Sequence, residues 1–148
     1  MSLTTFGAMM GFAAEMAEKG EELYGAMAEQ ARDPVLKDLF HVLAAEEGKT
    51  RALMVRARRE NVTEMILEPV AGLRAEAYAI DVKVSELTED VGLLKAALMI
   101  EEREMRFFLD ATTKVPLPEV ARIFRKAAQK KEENLRQLQG VGLSQTLK

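Results

Sequence analysis

Apolar residues recur along this chain at spacings of three and four over long stretches, and no strand-like alternation competes with them. The pattern predicts four helices. The first runs from about Thr5 to Ala31. "RDPVLKDLF" then restarts the chain, with Asp33 as N-cap and Pro34 at the first helical position, where its missing N–H costs nothing. The second helix continues to about Arg59, and Arg56, Arg58 and Arg59 suit the negative end of its dipole. Thr88, followed by Glu89 and Asp90, opens the third, which extends to about Thr113. "KVPLPEV" interrupts again, Pro118 opens the fourth helix, and Gly140 is its expected stop, leaving residues 141–148 as a frayed tail.

Two tight connections imply two antiparallel hairpins. Between them lies "NVTEMILEPVAGLRAEAYAIDVKVSEL", too long for a turn and partly apolar, so it is expected to pack along the bundle and to contain some helix. An all-α, antiparallel four-helix bundle with one long central crossover has the ferritin-like topology. An internal repeat supports this reading. Sliding the chain by 84 residues pairs Tyr24 with Phe108, Pro34 with Pro118, Phe40 with Phe124 and Ala44 with Ala128, without a gap. Only five of the 43 pairs from Phe12 to Met54 are identical, so identity alone carries little. The matches fall on the helix-opening proline and the core aromatics, and the two hairpins are expected to be related by a pseudo-twofold.

The length of 148 residues fits a single domain, 1–148, able to bury a substantial core. A net charge of −3 argues against nucleic acid as the main partner, because binding phosphates needs a cationic surface. The absence of cysteine excludes disulfides, thiolate nucleophiles, iron–sulfur clusters and c-type haem attachment, and is compatible with a cytoplasmic location. No stretch reaches the ~18 uninterrupted apolar residues of a membrane span. The opening "MSLTTFGAMMGFAA" has no basic leader and is not read as a signal peptide; Met1–Leu3 can be an expression remnant.

A carboxylate-bridged di-metal centre in such a bundle draws one Glu from each of two helices and Glu-x-x-His from each of the other two, the i, i+3 spacing placing both ligands on one face. Here "GEELYGAMAEQARDPVLKDLFHVLAAEE" and "EEREMRFFLDATTKVPLPEVARIFRKAAQKKEEN" resemble the two halves of a rubrerythrin-type ferritin-like domain, over roughly Phe12 to Met54 and Ala96 to Leu138. The resemblance implies ligand positions at 17, 47, 50, 101, 104, 131 and 134. This chain carries Glu47, Glu101 and Glu104 there, but Ala17, Thr50, Lys131 and Asn134 at the other four.

An ammonium about 4 Å from a unit positive charge costs ~4 kcal/mol at an effective dielectric of 20, and about twice that against a divalent ion. With both imidazoles also missing, no metal is expected. Instead the Lys131 ammonium is expected to fill the metal volume, bonded to Glu47 and Glu101, with Thr50 and Asn134 completing the network. Three carboxylates against one lysine leave excess negative charge, so either Glu104 reaches water or one carboxyl is protonated.

Other candidates are weaker. His41, the single histidine, lies one residue past core-facing Phe40 and reads as a helix-flank residue. Met9, Met16, Met27, Met54, Met99 and Met105 read as adaptable core rather than haem ligands. The reading is a non-catalytic structural or interaction bundle, forming a homodimer, with a degenerate di-iron site and no cofactor. Its rival is a rubrerythrin-type oxidoreductase or iron-binding protein holding iron or manganese on Glu47, Glu101 and Glu104.

Overall fold

A computed structural model describes residues 2–60, 69–115 and 117–146. Its order is β1 (Ser2–Thr5), α1 (Phe6–Gln30), α2 (Pro34–Glu60), β2 (Pro69–Arg74), two short 3₁₀ turns (Ala75–Tyr78 and Val84–Glu86), α3 (Asp90–Thr112) and α4 (Pro118–Thr146). The four long helices form a bundle in which α1 packs along α2, and α3 along α4.

Local chemistry sets the helix starts. Thr5 Oγ1 accepts from Ala8 N at 3.0 Å, and Asp33 Oδ1 accepts from Val35 N at 2.9 Å, so both first-hairpin helices have side-chain N-caps. Pro34 and Pro118 open α2 and α4. Asp90, the first residue of α3, reaches across to the α1–α2 turn, where its two carboxylate oxygens accept from Arg32 N and Asp33 N at 2.9 Å each. That contact anchors the start of the second hairpin on the turn of the first.

The repeat is visible in the packing. Tyr24 stacks on Phe40 in the first hairpin with ring centroids 6.1 Å apart, and their counterparts Phe108 and Phe124 lie 5.8 Å apart in the second. Phe107 extends the aromatic core, touching Phe12, Tyr78, Phe108 and Phe124. The crossover lies along the bundle: Tyr78 donates to Asp110 on α3 and stays buried beneath Arg106, and Gln30 on α1 donates to the carbonyls of Val84 and Leu87.

Two expectations need correction. Gly140 does not end α4, which runs through it to Thr146, so residues 141–146 are helical rather than frayed; 147–148 lie outside the described residues. Glycine in a helix interior costs only about 1 kcal/mol, which the continuing contact of Val141 with the core can offset. The hydropathy pattern also shows no strands, yet Ser2–Thr5 and Pro69–Arg74 pair antiparallel, with Ser2 opposite Arg74 and Leu3 opposite Leu73. Such short strands have too few positions for alternation to register. Leu3 is fully buried, so this part of the N-terminus belongs to the core; Met1 lies outside the described residues. In the crossover the described helical content is limited to the two 3₁₀ turns, and residues 61–68 lie outside the described residues.

Candidate functional site

Among the described residues five polar side chains are buried at the centre of the bundle: Glu47, Glu101 and Glu104 at 0% exposure, and Lys131 and Asn134 at 2%. Each sits on the inward stripe of its helix, Glu47 in line with Phe40, Leu43 and Met54 on α2, and Glu101 and Glu104 in line with Ala97, Phe107 and Phe108 on α3. One oxygen from each of the three carboxylates lies within 4.8 Å of the others.

The Lys131 ammonium stands among them. Its Nζ donates to Glu47 Oε1 at 2.8 Å, to Glu104 Oε1 at 3.3 Å and to Glu101 Oε2 at 3.4 Å. An ammonium has three donors and no acceptor, so the three carboxylates use its full capacity. Asn134 Nδ2 donates to Glu101 Oε1 at 2.7 Å and to Glu46 Oε1 at 2.6 Å, linking the centre to half-buried Glu46, which pairs with exposed Lys130 at 3.9 Å. Tyr24 Oη donates to Glu101 Oε2 at 2.8 Å. Glu101 therefore receives donors on both oxygens.

Thr50 departs from expectation. It is half-buried and makes no hydrogen bond to the centre among the described residues, whereas Asn134 joins the network through Glu101 and Glu46. A charged acceptor binds an amide N–H more strongly than a hydroxyl does. Ala17 is fully buried on α1 and offers no polar atom. His41 is exposed on the flank of α2.

Two contributors were not foreseen. Gly20 is one: a Cβ there would come within 1.8 Å of Glu47 Oε2, so the missing side chain makes room for the carboxylate. Tyr24 is the other, expected only as a core aromatic. The repeat contained both signals. Gly20 aligns with Glu104, a glycine facing a glutamate across the two halves, and Tyr24 aligns with Phe108, from which it differs by the hydroxyl that reaches Glu101.

The electrostatics follow from burial. Three carboxylates and one ammonium leave a formal excess of two negative charges, and Glu104 does not reach water. Glu47 Oε2 and Glu104 Oε2 are both buried without a donor among the described residues. Burial pushes the Glu104 carboxyl well above its ordinary range, against the opposing pull of Lys131, and the neighbouring Glu47 and Glu101 push it further. Burial raises Glu47 as well, but Lys131 and a hydrogen bond from Glu104 draw it back. Of the two, Glu104 is pushed further towards its protonated form, in which its carboxyl can donate to Glu47. For Lys131, burial works to strip the proton, but the three carboxylates overcome it and hold the amine charged well above its ordinary range. Burial, together with the nearby carboxylates, raises the Tyr24 hydroxyl well above 10, so it remains a donor.

This donor set does not fit a metal ion as it stands. A divalent cation on the three carboxylates needs the position from which the Lys131 ammonium bonds all three. The residues that compose the centre are closed to solvent. Among the described residues no helix is long and apolar enough to cross a membrane.

No protein-family model and no curated protein matches the chain. Among solved structures it is similar to a hypothetical protein from Pyrococcus furiosus, with a TM-score of 0.66 at 22% identity, covering 89% of this chain and 84% of that one. At that identity the likeness concerns the fold alone, a helical bundle.

Proposed function

We propose that this protein is a ferritin-like bundle of the rubrerythrin type whose di-iron centre has been replaced by an internal ion cluster, and that it serves as a non-catalytic structural or interaction protein. One observation carries the reading: Lys131, 2% exposed, bonds all three retained carboxylates at 2.8–3.4 Å. The lysine supplies the positive charge that metal ions would supply. The repeat adds support, because Lys131 occupies in the second hairpin the position Glu47 occupies in the first.

Metal analysis after incubation with iron(II) or manganese(II) and dialysis tests this reading. The wild-type protein is expected to retain neither at stoichiometric level. Lys131→Glu with Asn134→His, which supplies a Glu-x-x-His pair on α4, is expected to gain retained metal. Stoichiometric metal on the wild type overturns the reading, and no gain by the double variant contradicts the inferred ligand register.

A second reading rests on the mutual approach of the three carboxylate oxygens within 4.8 Å. If Lys131 swings away, Glu47, Glu101 and Glu104 can hold one hard divalent ion, iron or manganese, in a carboxylate site. The same metal analysis separates the two readings.

A further inference from the structure

Between α1 and the crossover the bundle leaves a hollow of about 200 Å³, separate from the buried centre. Its floor is apolar: Phe12 and Met16 come from α1, Tyr78 and Ile80 from the crossover. Met16, Tyr78 and Ile80 are each at most 5% exposed, so the floor is part of the core. Phe12 packs against Phe107 with ring centroids 5.1 Å apart and against Tyr78 at 6.4 Å, which fixes that wall in place. The Tyr78 hydroxyl is engaged by Asp110, leaving its ring to offer apolar surface.

The mouth carries both signs of charge. Glu15 and Lys19 line it, exposed and one turn apart on α1. A glutamate four residues before a lysine has the orientation in which such pairs ordinarily close on each other. This pair stays open. Lys19 Nζ donates instead to the Ile80 carbonyl on the opposite wall, and Glu15 forms no ion pair among the described residues. An ammonium has three donors, so two remain on Lys19 for a further acceptor. The hollow is thus flanked by a carboxylate on one side and an ammonium with spare donors on the other.

We propose that this hollow binds a free amino acid with an apolar side chain. Its carboxylate accepts from Lys19, its ammonium donates to Glu15, and its side chain fills the space over Phe12, Met16 and Ile80. Charge selects the zwitterion. A simple organic acid would bring a second carboxylate beside Glu15, and a simple amine would meet Lys19, so only a ligand with both charges is paired at each end. Size selects the side chain. A dry cavity of about 150 Å³ takes up benzene, whereas drug-sized ligands occupy about 300–1,000 Å³. The volume therefore suits one ring or one branched chain and is too small for a nucleotide. The inference goes beyond the proposed function and is independent of what occupies the buried centre, because no residue of that centre lines the hollow.

Titration of the full chain with L-phenylalanine, followed through the methyl signals of Met16 and Ile80 in proton–carbon NMR spectra, tests it. Both signals are expected to shift and to saturate, and glycine, which lacks the side chain, is expected to leave them in place. N-acetyl-L-phenylalanine lacks the ammonium charge and L-phenylalaninamide lacks the carboxylate. Each is expected to bind at least about tenfold more weakly, the effect of losing a charged hydrogen bond. Glu15→Gln and Lys19→Met are each expected to weaken L-phenylalanine by a similar factor with helicity unchanged, since both side chains are exposed. Absence of a saturable shift with L-phenylalanine overturns the proposal. So does equal binding of both derivatives, which would mark an apolar hollow that does not read the zwitterion, or binding indifferent to both substitutions.

Discussion

Glu47 and Lys131 stand 84 residues apart, at the same position of two related hairpins, and their side chains meet at 2.8 Å in the centre of the bundle. Positions equivalent by the repeat thus face each other across α2 and α4, and one carries the countercharge of the other. Their neighbours Glu46 and Lys130 repeat the arrangement nearer the surface, at 3.9 Å. Two carboxylates at 47 and 131 would repel unless a cation lay between them. Lysine at one of them removes both the repulsion and the need for a separate cation.

Removing the amine should therefore be costly. Lys131→Ala leaves three buried carboxylates without their ammonium, and loss of one partner from a buried ion cluster typically destabilises by about 3–5 kcal/mol. Urea denaturation followed by circular dichroism should show the midpoint fall with the slope unchanged. An effect below ~1 kcal/mol, the range of a surface ion pair, would place the lysine outside the core network.

Gly20 is predicted to be intolerant of even one carbon. Its Cβ would lie 1.8 Å from Glu47 Oε2, and that carboxylate is bonded to Lys131 and walled in by core. Alanine normally stabilises a helix interior over glycine by about 1 kcal/mol. Here Gly20→Ala should instead destabilise, by roughly 1–3 kcal/mol as an overpacking change. A thermal melt that rises on this substitution would mean that Glu47 does not occupy the space beside α1.

Proton binding gives a further handle. Glu104 keeps its proton to higher pH in the folded protein than in the unfolded chain, where its ordinary value is 4.5. Above about that pH the folded state binds more protons, so this group's contribution is fully present below 4.5 and declines as pH rises through the raised folded value. Burial raises Glu47 in the same direction. Glu104→Gln imitates the protonated form and retains a donor for Glu47. Its stability relative to wild type should grow as pH rises through that window, giving a flatter stability profile. A constant difference across the window would show that Glu104 is not the group that carries the proton.

Much of the frame was legible because it rests on local rules. Pro34 and Pro118 mark helix starts by their fixed φ, and the aromatic pairs Tyr24–Phe40 and Phe108–Phe124 recur at one offset because each hairpin needs the same filling. Glu47, Glu101, Glu104 and Lys131 could be named because the resemblance to a rubrerythrin-type domain implies ligand positions there, and the inward stripes of the helices keep those positions facing one another. The remainder depended on contacts between distant segments. Asn134 joins the network through Glu101 and Glu46 while Thr50 makes no hydrogen bond to it among the described residues, a matter of side-chain reach across α2 and α4 that spacing along one helix does not encode. The β1–β2 ribbon joins residues about seventy positions apart through strands too short to alternate. The end of α4 was misplaced because Gly140 is a stop only where the chain gains nothing by continuing, and Val141 still finds the core.

Anomalous diffraction from crystals grown in excess manganese(II) tests the central claim most directly. The account predicts no anomalous peak among Glu47, Glu101 and Glu104, and density for Lys131 Nζ within hydrogen-bonding distance of all three. A strong peak coordinated by these carboxylates, with the lysine turned away from them, would contradict it.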